Sequence, residues 1–458
     1  MKYFISYILI FICCFASFAQ SALDDALVGY SIVDVKSNSI VAEKNGDIAF
    51  VPASVTKVVT TATVLEVIPA QKRFETIVEY NGKISNGTLY GKLIIKGCGD
   101  PTLGSSYINS SKERVFNEIV SILKRNGIYS VCGEIVCDDS LFPFNGARGA
   151  WLAEDLGNYF AAESYGFNFI DNLYTLYFNT EGEGGNAIIA ECKPLMPELE
   201  FINHLEVKGY DKDSAYITGM DFSNKRLLNG RIPCNKTRYV LKGSIPSPKD
   251  VFNREFRAFL IKNGMWVENN MVISENIRNN SLGVIHSPNL QEIVKITNHR
   301  SNNLYAETLL KWCGLVRGGK ATTEKGIEVI SNFWNNRNVD MSNSILADGS
   351  GLSPKNRISP NSLSKVLCSV AYNDSFRATL PKVGVDGTVK NFMKEYDIAK
   401  YLSLKTGSMQ GVQCYAGYYD DGNHCYSIVI MVNNFKGKRK DVQKEIGELI
   451  SLLINNKQ

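Results

Sequence analysis

The chain has 458 residues, 44% of them hydrophobic and 21% charged, with a formal net charge of +4. That composition excludes a disordered or fibrous protein and leaves room for two or three domains. The charge is too small to argue for nucleic-acid binding, and no basic stripe with interleaved aromatics accompanies it.

The opening "MKYFISYILIFICCFASFAQS" carries Lys2, an apolar core from Phe4 to Phe15, and small residues Ser17 and Ala19. This is the pattern of a secretory signal peptide over 1–19, cleaved after Ala19. A retained anchor is the other reading, but the apolar run falls short of the roughly 20 residues a spanning helix needs. From Gly29, "GYSIVDVKSNSIVAEKN" alternates apolar and polar residues around a turn and predicts a strand hairpin. "VPASVTKVVTTATVLEV" (51–67) then keeps helical apolar spacing at Val55, Val58, Val59, Ala62 and Leu65, with Pro52 just upstream. "GTLYGKLIIKGCGDPTLG" predicts a strand and a Gly/Pro break, and Glu113 to Asn126 a helix that closes at Gly127. A strand-rich, glycine- and asparagine-rich stretch continues to about residue 250 without a convincing long helix. Near the end, "CYAGYYDDGNHCYSIVIMVNN" predicts two strands joined by Asp-Asp-Gly-Asn. Val442, Ile446, Leu449, Ile450 and Leu453 line one face of a final helix. Strand pairs and helices at both ends around a strand-rich middle predict one α/β (α+β) domain, split in sequence by a large insertion.

Eleven cysteines are present, of which Cys13 and Cys14 leave with the leader, so an odd number remains. Cys132 and Cys137 are close enough to invite pairing, but on one strand their side chains would diverge. Most of the rest read as buried thiols. No Cys/His spacing supports a metal site, and no cofactor motif appears. "FKGKRKDVQK" reads as a solvated loop leading into the last helix, so membrane contact is at most peripheral.

Lys57 is the misfit in an otherwise apolar helix. A serine in the first helical turn, Ser54, has an unpaired backbone N–H in a field that favours negative charge. Lys57, three residues on, shares its face. Buried beside a second positive group, such an amine would stay neutral and take the serine proton. The spacing alone is weak, because Ser121/Lys124 and Ser362/Lys365 repeat it. Two further segments strengthen it: "HRSNNLYAE", with Ser301 and Asn303, and the single Lys-Thr-Gly, Lys405-Thr406-Gly407, followed by Ser408. Gly407 would let a substrate backbone approach a strand closely.

Ser-x-x-Lys, Ser-x-Asn and Lys-Thr-Gly in this order are the set found in penicillin-binding proteins and class A β-lactamases. The long stretch between Ser54 and Ser301, with "PASVTK", "GCGDPTL", "DGSGLS", "VDGTV" and "KTGSMQG", resembles the D-alanyl-D-alanine carboxypeptidase/endopeptidase family S13, of the penicillin-binding protein 4 type. The resemblance implies a serine DD-peptidase, β-lactamase-like transpeptidase domain over 20–75 and 255–458. The insertion would span 76–254, with 76–170 and 236–254 as one unit and 171–235 as another.

The same resemblance implies an acyl-enzyme on Ser54, with Lys57 as its base. Ser301, positioned by Lys57 and Lys405, would relay a proton to the leaving amine. Asn303 would hold the substrate amide, Lys405 would supply positive potential, and Thr406 and Ser408 would bind the terminal carboxylate. The backbone N–H groups of Ser54 and Ser408 would form the oxyanion hole. In "WLAEDLGNYF", Asp155 would face a diamino-acid stem peptide, with Gln410 beside it, or be a solvated loop acid. Where the family often has a basic residue after "DGSGLS", this chain has Pro354, followed by Lys355 and Arg357. Asp348, Gly349 and "VDGTV" are expected to hold turns near the cleft. The implied partners are peptidoglycan stem peptides ending in D-Ala-D-Ala and β-lactams as covalent inhibitors, and the implied location is the periplasm, beyond the inner membrane. A β-lactamase or esterase, and a non-catalytic wall-binding or sensing protein, are the competing readings.

Overall fold

The computed structural model describes residues 21–108, 110–143, 149–209, 213–220, 223–267 and 278–455. The leader expected over 1–19 lies outside them. The two ends of the chain build one antiparallel sheet in the order Leu402–Met409, Val412–Asp420, Cys425–Asn433, Leu27–Asp34, Ser39–Lys44. Its residues alternate between two cores. Cys414, Ala416, Tyr418, Val429 and Met431 face a helical layer, while Tyr415, Tyr419, Ile428, Ile430 and Val432 face the Arg439–Asn455 helix through Val442, Ile446 and Ile450. Burial on both faces explains why "SIVIMV" is a nearly unbroken apolar run.

The helical layer contains Thr56–Val67, Leu290–Arg300, Asn303–Gly318, Thr323–Asn335 and Pro360–Ser369. Thr56–Val67 runs through its middle and is buried on nearly every side. Its threonines are tolerated there because their hydroxyls find acceptors: Thr61 bonds the Lys57 carbonyl at 2.6 Å, Thr63 that of Val59 at 2.7 Å and Thr60 that of Gly349 at 2.7 Å.

The middle of the chain forms a second body. Its main sheet runs Trp266–Val267, Ser130–Asp138, Thr88–Lys96, Arg73–Ser85, Asn280–Asn289. The Lys112–Arg125 and Pro248–Lys262 helices contribute Phe116, Ile119, Val251, Phe252 and Phe256 to its core, and two three-stranded sheets and one two-stranded sheet complete it. The boundary expected at 255 falls inside the Pro248–Lys262 helix, and Asn280–Asn289 pairs with Arg73–Ser85. The insertion's core therefore runs on to Ile285. Cys132 and Cys137 lie on one strand an odd number of residues apart, hence on opposite faces, and all nine described cysteines are free thiols. Among the described residues no helix is long and apolar enough to cross a membrane.

Candidate active site

Ser54 stands on the single turn Ala53–Val55 that leads into Thr56–Val67, and Lys57 is in the first turn of that helix. The ammonium nitrogen of Lys57 lies 3.0 Å from Ser54 Oγ, 2.6 Å from Asn303 Oδ1 and 2.6 Å from the Ser350 carbonyl. A neutral amine has two N–H donors and one lone pair. Asn303 and Ser350 are pure acceptors at these contacts and take the two donors, so the lone pair is left for the Ser54 hydroxyl. Burial lowers the Lys57 pKa from 10.5 to about 7, against the opposing pull of the Asp348 and Glu307 carboxylates. Lys405, also fully buried, is pushed well below the ordinary lysine value by burial and then by the Lys57 charge. Of the two expected causes, burial and repulsion from a second cation, burial is the one that lowers the Lys57 value, and the repulsion falls on Lys405.

Ser301 ends the Leu290–Arg300 helix in a left-handed conformation, φ 54°, and Asn303 opens the next helix, capped by Asn302. This sharp junction aims both side chains into the cleft. Lys405 Nζ donates to Ser301 Oγ at 2.9 Å and to the Thr406 carbonyl at 2.6 Å. Lys57, expected to share in positioning Ser301, instead engages Ser54, Asn303 and Ser350.

Leu402–Met409 is the edge strand. Its outer side is bonded to residues 381–383: Leu404 N–H donates to the Pro381 carbonyl and Val383 N–H to the Leu402 carbonyl, each at 3.0 Å. Alternate residues of an antiparallel strand face the same way. Thr406 and Ser408 therefore share the outward parity of Leu404, which turns the Ser408 N–H toward the cleft. A Cβ on Gly407 would lie 2.5 Å from the Pro52 carbonyl oxygen and 3.1 Å from Ser54 N. The space that glycine spares is filled by the chain's own backbone at the Pro52–Ser54 turn, where a substrate had been expected.

The loop carrying the Ser350 carbonyl is held by two buried acids. Asp348 accepts from Gly351 N at 2.7 Å, Ser353 N at 2.6 Å and Trp151 Nε1 at 3.0 Å. Glu307 accepts from Ser350 N at 2.8 Å and Gly349 N at 3.1 Å. Gly351 N–H and the Ser350 carbonyl belong to one peptide unit, so Asp348 on one side fixes the plane that meets Lys57 on the other. Burial, then the neighbouring Asp348 charge, raises the Glu307 pKa. The sequence reading missed Glu307; its only signal was an acid one helical turn after Asn303, on the same face of an apolar helix.

The insertion reaches this site through Trp151, through Ala150 and through Phe160, whose carbonyl accepts from Asn303 Nδ2 at 2.7 Å. Asp155 lies between those anchors, partly buried, its pKa raised by burial and by Glu154. Gln410 is exposed at the turn after Leu402–Met409, and among the described residues no hydrogen bond joins it to Asp155. Lys355 Nζ is turned to the Gly149 carbonyl at 2.9 Å, and Arg357 bonds the carbonyls of Pro354 and Asn356. No group of three or more His, Cys, Asp or Glu that could hold a metal occurs among the described residues.

The sequence matches the D-Ala-D-Ala carboxypeptidase 3 (S13) family over residues 16–456. It is 25% identical to the D-alanyl-D-alanine carboxypeptidase DacB of Haemophilus influenzae, over 87% of this chain and 83% of that one. It is also 25% identical to a D-alanyl-D-alanine carboxypeptidase of Actinomadura sp., over 89% and 78%. The fold is similar to the crystal structure of penicillin binding protein 4 from Haemophilus influenzae, with TM-score 0.79, 24% identity and coverage of 94% and 97%. A structure of that protein with a β-lactam is similar at TM-score 0.74, 22% identity and coverage of 94% and 96%.

Proposed function

The chain belongs to the D-Ala-D-Ala carboxypeptidase 3 (S13) family, and from that premise we propose that Ser54, Lys57 and Ser301 release the terminal D-alanine of peptidoglycan stem peptides. The observation that carries the assignment is Lys57: two acceptors claim its N–H donors, which leaves the lone pair facing Ser54 Oγ at 3.0 Å.

Ser54 Oγ attacks the carbonyl between the two D-alanines as its proton passes to Lys57. The new ammonium is held by Asn303 and the Ser350 carbonyl, with the Asp348 and Glu307 carboxyls behind them. The backbone N–H groups of Ser54 and Ser408 receive the oxyanion. Ser301, held by Lys405, passes a proton to the leaving nitrogen as the C–N bond breaks and is reprotonated at the expense of the Lys57 ammonium, which returns Lys57 to the neutral amine. Water then attacks the acyl-enzyme, giving its proton to Lys57, which returns a proton to Ser54 Oγ as the ester bond breaks. Thr406 and Ser408 bind the terminal carboxylate, and Asn303 holds the acyl-side amide with the Nδ2 hydrogen that Phe160 does not use. Asp155 and Gln410 line the stem-peptide side of the cleft.

The same chemistry serves a DD-endopeptidase, because a cross-link also follows a D-alanine. Penicillins place a reactive acyl carbon before Ser54 and acylate it, in keeping with the β-lactam complex of the similar Haemophilus influenzae protein. The leader over 1–19 supports export to the periplasm, where the substrate lies. The test is incubation of the purified protein with labelled penicillin and with a peptide ending in D-Ala-D-Ala. Acylation and D-alanine release are expected, both lost in Ser54→Ala; their absence from the wild type refutes the assignment.

A further inference from the structure

We infer that Thr388, from the Asp386-Gly387-Thr388 loop, is a second hydroxyl of the terminal-carboxylate site, acting beside Thr406. The inference rests on the DD-carboxypeptidase reading and adds a residue to it. Thr388 Oγ1 lies 2.8 Å from Oγ1 of Thr406, next to Lys405 in sequence, and the contact is exposed to solvent. One of two bonded hydroxyls spends its proton on the other, so the pair keeps one proton to donate outward, and each retains lone pairs. Ser408 is differently placed. Its Oγ donates to Gln413 Oε1 at 2.9 Å, and that oxygen is itself held by Arg439 at 2.9 Å. Ser408 must turn from Gln413 to donate, whereas the Thr388–Thr406 pair offers a carboxylate arriving beside Lys405 a hydroxyl proton that is already free.

The loop is built to hold Thr388 there. Residues 381–383 bond the outer edge of the Leu402–Met409 strand immediately before Thr406. Lys382 N–H donates to Asp386 Oδ1 at 2.8 Å, which ties the start of the loop to its tip. Gly387 has φ +58°, and a Cβ there would meet Pro381 Cβ at 2.6 Å and the His299 carbonyl oxygen at 3.2 Å. The loop is thus pressed between the strand carrying Lys405 and the end of the helix that leads to Ser301. Nothing in the loop's own packing uses the Thr388 hydroxyl, whose one hydrogen-bond partner among the described residues is Thr406.

The test compares wild type, Thr388→Val and Thr388→Ser on a peptide ending in D-Ala-D-Ala and on the same peptide with its terminal carboxylate amidated. A hydrogen bond to a charged group makes the expected loss in Thr388→Val about tenfold in kcat/KM for the free acid, carried by KM. The amide is expected to be unchanged, and Thr388→Ser is expected to keep the wild-type preference for the acid. Thr388→Ala replaces the valine variant if that one does not fold. An unchanged acid-to-amide preference, or an equal loss on both peptides, overturns the inference. A wild type that cleaves the D-Ala-D-Ala bond of neither peptide instead refutes the carboxypeptidase reading beneath it.

Discussion

Lowering the pH should switch off acylation by loading Lys57 with the proton it must be free to accept. The folded protein holds this lysine at about 7 instead of 10.5, and the largest cause is burial. The shift corresponds to a penalty on the order of 5 kcal/mol against the buried ammonium. The reactive form is the neutral amine, so activity is present above the folded value and lost below it. For a single site at about 7, the neutral fraction is about 90% at pH 8 and about 9% at pH 6, a fall of about tenfold. The assay is the second-order rate of labelling by a fluorescent penicillin between pH 5 and 9, with unfolding followed at each pH. Penicillin's carboxylate stays ionised throughout, so the enzyme alone sets the midpoint. Lys57→Arg keeps a cation but offers no base, and should label at no measurable rate at any pH. A rate flat from pH 5 to 9, or one still rising about tenfold per pH unit at pH 9, would refute a neutral buried Lys57 as the base.

Glu307→Ala removes the acceptor of two buried N–H groups, so the protein should lose about 3 kcal/mol of stability in thermal unfolding. It should also acylate at least about tenfold more slowly at a temperature where it stays folded, because the Ser350 carbonyl is no longer held against Lys57. Lys405→Met should do the reverse to stability. It removes a fully buried amine disfavoured by burial and by Lys57, so the melting temperature should rise while D-alanine release is lost, a fall in both being the contrary result. Lys311→Ala should cost about 3–5 kcal/mol, since it strands the buried Glu163 carboxylate 3.1 Å from the missing ammonium. Lys311→Met with Glu163→Gln should recover most of that loss, as a double-mutant cycle in urea would show.

The three motifs were legible because serine-lysine chemistry leaves few residue types to choose from, and two of them sit where a helix begins. The strand pairs at the two ends were equally plain. What the sequence hid was long-range. The Pro248–Lys262 helix puts Val251, Phe252 and Phe256 against strands more than a hundred residues earlier, and no local pattern announces such a partner. Glu307 read as one polar residue on an amphipathic helix, because its partners, the amides of Gly349 and Ser350, come from a distant loop. Gly407 was read for the freedom it gives a ligand, yet the backbone of Pro52 and Ser54 occupies that space.

The insertion also has a part in the chemistry of a lysine it never touches. A primary amine stays neutral near pH 7 only where water is kept from it, and Thr56–Val67 supplies only one wall. The other walls carry polar groups that must be satisfied without water: Asn303, the Ser350 peptide and Asp348. The insertion satisfies two of them, with the Phe160 carbonyl on Asn303 Nδ2 and the Trp151 indole on Asp348 Oδ2. Ser353 fastens the same loop to the insertion through the Ala150 carbonyl at 2.6 Å. Each bond satisfies a polar group near Lys57 from within the protein, in keeping with the burial that disfavours the charged amine. The burial around Lys57 is therefore built by both bodies together, with the 150–160 segment fastened to three residues of its surroundings.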